Sequence, residues 1–135
     1  MRTFIAIIFA ICVLSTSVSA GSLESCKIVL DAIKEQLPTF YKAGKQMKDL
    51  NAMTPEYQKQ FDGSAYQIAQ YVYDGCDGLT TDEINTLAQS IYTAPADCKK
   101  YAGMFTESMV EGVKNKESQE GCWDGLYQFS EICNA

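Results

Sequence analysis

Along most of this chain, apolar residues recur every three or four positions, and no segment sustains the alternation of a half-buried strand. The first stripe holds Cys26, Val29, Leu30, Ile33 and Leu37, with Lys27, Asp31, Lys34 and Glu35 largely off it. Pro38 should end or kink that helix, because its ring collides with the carbonyl four residues back and biases Leu37 away from the α region. The pattern resumes with Phe40, Ala43, Gly44 and Met47, then fades between Asp49 and Met53.

Thr54-Pro55-Glu56 marks a helix start, with a capping oxygen followed by a proline where a missing N–H costs nothing. Asp62-Gly63 is expected to interrupt this segment, with Ser64 and Gln67 restarting it as a capping box. Ala65, Ile68, Ala69, Val72, Tyr73 and Cys76 then follow helical spacing closely. Gly75 and Gly78 stop the helix, and Thr80 with Glu83 form the next capping box, ahead of Ile84, Leu87, Ala88 and Ile91. Ala94-Pro95-Ala96 breaks that short helix. A longer one beginning near Asp97 carries Cys98, Tyr101, Ala102, Phe105, Met109 and Val113. After a polar loop over 114–120, a last helix holds Cys122, Trp123, Leu126, Phe129, Ser130 and Cys133. The reading is all-α: a compact irregular bundle of about five amphipathic helices, since no apolar heptad continues unbroken into a coiled coil.

The N-terminus departs from this pattern. Arg2 precedes an apolar run from Phe4 to Leu14, followed by Ser15 to Ala20 with small residues, Val18 and Ala20, at the cleavage positions. Residues 1–20 are thus expected to be a cleaved signal peptide, and 21–135 a single disulfide-stabilised domain. An eleven-residue helix spans about 16 Å, roughly half a bilayer core, and no later run reaches spanning length. Secretion without stable membrane insertion follows as the expectation.

Composition matters most once that segment is removed. Residues 21–135 hold ten lysines and seventeen acids, a net charge of −7, and neither arginine nor histidine. A nucleic-acid partner is disfavoured, because a polyanion would be repelled. Without histidine there is no Ser-His-Asp triad, Cys-His pair or imidazole base, so the chain is read as not an enzyme and as needing no cofactor. The acids Asp74, Asp77, Asp82 and Glu83 crowd one turn, but Tyr73 and Ile84 fall where a calcium loop needs its first and last carboxylates, so no metal is expected.

Cys26, Cys76, Cys98, Cys122 and Cys133 remain as disulfide candidates, all on apolar stripes. Cys122 and Cys133 lie about 16 Å apart on one helix and cannot bond each other. The odd number leaves one thiol over, which points to an intermolecular bridge or a buried free cysteine. One bridge is expected to join the fourth helix to a neighbour through Cys98, leaving Cys26 or Cys133 as the spare. Among the tyrosines, Tyr73 and Tyr101 are expected to face the core, whereas Tyr66 and Tyr71 fall off the main stripe and are candidates for outward contact.

The functional expectation is a secreted non-catalytic interaction protein, in one form a homodimer linked through the unpaired cysteine. The alternative is an extracellular carrier of a small hydrophobic ligand or lipid, with Met47, Met53, Met104 and Met109 as adaptable lining residues. Membrane lysis is disfavoured by the negative charge.

Overall fold

A computed structural model describes residues 21–134 as five packed helices: α1 (Leu23–Asp49), α2 (Pro55–Cys76), α3 (Thr81–Ile91), α4 (Ala96–Lys114) and α5 (Cys122–Cys133). No strand occurs among the described residues. The expected export signal lies outside them.

Local capping sets most helix starts. α1 opens on a reciprocal box: the Ser25 N–H donates to the Ser22 hydroxyl, and the Ser22 N–H donates to that of Ser25, each at 3.0 Å. Thr54 caps α2 by accepting from the Tyr57 N–H at 3.2 Å. Thr80 and Glu83 form the box expected at α3, with bonds of 2.9 and 3.1 Å.

Two expected breaks do not occur. α1 runs unbroken through Pro38, which is exposed on the solvent side. The turns on either side bury Ile33, Leu37, Phe40 and Met47, and burying such side chains at about 1.5–3 kcal/mol each outweighs the roughly 3 kcal/mol that an interior proline costs. α2 likewise continues through Asp62-Gly63, and the Ser64–Gln67 box does not form because Ser64 lies mid-helix. Asp62 is buried and serves another helix: its carboxylate accepts from the Trp123 N–H at 3.0 Å and from Gln58 Nε2 at 3.2 Å. It supplies in trans the N-terminal cap that Gly121 cannot give α5. At the other polarity, the Lys34 ammonium of α1 donates to the Ile91 carbonyl at the C-terminus of α3, at 2.7 Å.

The core forms where α1, α2 and α5 meet, around Phe40, Phe61 and Trp123; the Phe61 and Trp123 rings pack edge to face at 4.8 Å. Tyr92, the C-cap of α3, is buried, packs edge-on against Phe129 at 5.3 Å, and donates its hydroxyl to the Leu30 carbonyl at 2.9 Å. Two disulfides cross-link the bundle, Cys26–Cys76 between α1 and α2, and Cys98–Cys133 between α4 and α5. Gly75, beside the first bridge, lets the helices close up: a Cβ there would stand 2.6 Å from Val29 Cγ2. No described helix is long and apolar enough to cross a membrane.

The bridge from Cys98 to a neighbouring helix is as expected, but the spare cysteine is not Cys26 or Cys133. It is Cys122, at the start of α5. Nearness to a chain end does not measure distance in a bundle. Cys133 ends α5 against the start of α4, and Cys26 starts α1 against the end of α2.

A candidate binding groove

The site begins with an unusual division of labour on α4. Its buried face is built from small or short side chains: Cys98, Ala102, Gly103, Thr106 and Val110. Gly103 sits so close to α3 that a Cβ would collide with Asn85. The larger apolar residues of the same helix, Tyr101, Met104, Phe105, Met109 and Val113, lie on the adjacent face and remain partly or fully exposed. Met104 is 62 % exposed. Tyr101, expected to face the core, is therefore corrected to an exposed position, and Phe105 and Met109 on the same apolar stripe are only half buried.

That second face forms one wall of an elongated groove of about 660 Å³ between α2, α4 and α5. Its volume falls within the range of small-molecule sites. Ala65 and Ala69 of α2 contribute small side chains, and Gly112 and Gly125 leave space on α4 and α5. Leu126, Phe129 and Ile132 supply the facing apolar wall, and Phe129 stacks on Phe105 with centroids 4.2 Å apart. The groove follows α4 from Tyr101 to Val113, about 18 Å at helical rise. Its two ends differ. Near the Cys98–Cys133 bridge it is aromatic and aliphatic, with Tyr101 and Ile132; near the α4–α5 loop it is lined by Glu117, Ser118, Glu120 and Cys122.

The free thiol is thus at the polar end of the groove, and it is half-buried. Burial, followed by the nearby carboxylates of Asp62 and Glu117, pushes its pKa above the ordinary thiol value, which keeps it protonated and weakly nucleophilic at neutral pH.

The residues expected to make outward contacts separate. Tyr66 is half-buried and lines the groove. Tyr71 is only 3 % exposed and belongs to the core, because α2 is covered on more than one side by α1, α4 and α5. Tyr73, expected in the core, packs half-buried against it, and Asp77 beside it raises its phenol pKa. Of the four methionines expected to line a cavity, Met104 and Met109 line the groove, Met47 is in the core and Met53 packs partly buried against it.

Elsewhere, a second cavity of about 410 Å³ lies by the α2–α3 turn, lined by Asp77, Glu107, Glu111 and Lys114 among others. The acids at 74, 77, 82 and 83 do not converge: no group of three or more candidate metal ligands occurs among the described residues. The groove as a whole was not foreseen, because Ala65 and Ala69 were read only as part of the apolar stripe of α2 and Gly112 and Gly125 carry no amphipathic signal; the signal present was the pairing of a small-residue stripe with a large-residue stripe on α4. Comparison with protein-family models, with curated proteins and with solved structures returned no match.

Proposed function

We propose that this is an exported, non-catalytic binding protein whose α2–α4–α5 groove takes up a small apolar ligand. The observation that carries this reading is the exposed apolar face of α4. Five large side chains line an open groove while the same helix packs through its small ones. An arrangement driven by burial alone would put the larger face inward, since it removes more area from water. The two disulfides and the N-terminal export pattern fit an oxidising compartment. The lack of histidine and arginine after residue 20 fits binding rather than acid–base chemistry.

The test is the fluorescence of an apolar dye, N-phenyl-1-naphthylamine, with purified protein and a groove-blocking variant. Gly125 lines the groove, and a Cβ placed there meets nothing within 4 Å, so Gly125→Phe adds a ring without forcing the backbone. The dye should bind the parent chain and lose at least tenfold in affinity with Gly125→Phe, at unchanged or higher Tm. Equal binding by both chains would place the dye elsewhere and defeat the reading.

A homodimer linked through Cys122 is a second reading, favoured by one observation: the unpaired thiol reaches the surface. A second copy there would lie across the polar mouth of the groove. A single monomer band on a non-reducing gel removes the covalent form.

A further inference from the structure

We infer that the ligand of this groove is a single-tailed amphiphile with a cationic, amine-type head, held with its head at the α4–α5 loop and its tail toward Phe105, Phe129 and Ile132. The inference rests on the groove reading above and adds the chemistry of the occupant.

Charge complementarity selects it. Among the described residues, the only charged side chains that line the groove are Glu117 and Glu120, and both stand at the same end. No lysine lines it. Lys114 ends α4 and Lys116 lies within the α4–α5 loop, and neither enters the lining; Lys100, near the other end, holds its ammonium 5.4 Å from the centre of the Tyr101 ring. A carboxylate or phosphate head placed there would meet two acids and no cation in the lining, on a chain with a net charge of −7 after residue 20. An ammonium would meet two carboxylates and the Ser118 hydroxyl, with Tyr66 also in the lining. The apolar far end leaves a place for one tail of the length that α4 offers.

Three probes share a tail and differ in the head: dodecylamine, dodecanol and dodecanoate, each titrated below its micellar concentration at pH 7.5 by displacement of the naphthylamine dye. Dodecylamine should bind about tenfold or more tightly than dodecanoate, with dodecanol between them, and the gap should narrow with added salt. The double variant Glu117→Gln, Glu120→Gln changes two exposed side chains and should collapse that gap while leaving dodecanol unaffected. If dodecanoate binds as well as dodecylamine, and both are lost with Gly125→Phe, the cationic assignment falls and the groove stands. Full retention of the preference by the double glutamine variant also overturns the assignment. If none of the three probes binds, or if the chain is a dimer that excludes the dye, the groove reading itself fails and takes this inference with it.

Discussion

At the scale of single residues, two buried polar groups carry more than their position in the sequence reveals. Asp62 holds a carboxylate oxygen 3.0 Å from the Trp123 N–H, in the first turn of α5, whose own N-cap Gly121 offers no side-chain bond. Asp62→Ala removes the acceptor of that buried bond and should cost about 1–3 kcal/mol in urea unfolding, whereas Asp62→Asn keeps an acceptor and should cost less than half as much. Equal losses for both variants would mean that charge, and not the cap bond, is what matters. Tyr92 is the second. Burial, with a smaller contribution from Asp31, raises its phenol well above the usual value of 10.0. Above about pH 10 the unfolded chain gives up this proton while the folded chain keeps it. The stability attached to Tyr92 is therefore intact below pH 10 and declines as pH rises beyond it. Tyr92→Phe should be less stable by about 1 kcal/mol at pH 7 through loss of the bond to Leu30, and should show a shallower decline between pH 10 and 11.5, followed by circular dichroism.

At the scale of elements, α1 shows what local rules leave out. Pro38 was expected to end or kink the helix, yet the helix passes through it with the ring in solvent. Because that ring is exposed, Pro38→Ala should restore a backbone bond with little loss of burial and stabilise the chain by about 1–3 kcal/mol in the same urea assay; a loss of stability would mean that the proline sets a bend the bundle needs. Five helices, the caps at Thr54 and Thr80, and the buried stripe of α1 were legible because periodicity and capping are local. The role of Asp62 was not, because its partner lies 61 residues away. The groove was half legible: Met104 and Met109 were named as lining candidates, but Phe105 was read only as part of the helix's apolar stripe. Periodicity reports that a face is apolar, not whether another helix covers it, and α4 carries two such faces side by side.

At the scale of the whole molecule, the two disulfides separate stability from binding. Cys26–Cys76 ties residues 50 apart and Cys98–Cys133 residues 35 apart. In the chain-entropy description, loops of these lengths are each worth about 4 kcal/mol, an upper figure for what removal costs. Their positions differ more than their lengths do. The first joins α1 to α2, and neither cysteine lines the groove. The second joins the two helices that form its walls, with Cys133 adjacent to the lining residue Ile132. Cys26→Ser with Cys76→Ser, and Cys98→Ser with Cys133→Ser, should thus lower stability by similar amounts, about 2–4 kcal/mol each. Below the unfolding transition, only the second pair should weaken dye affinity, by several-fold, because α4 and α5 can then splay at the apolar end while α2 stays in place. Matched losses of affinity in both double variants would show that the groove depends on the stability of the bundle as a whole, and not on the clamp that closes its apolar end.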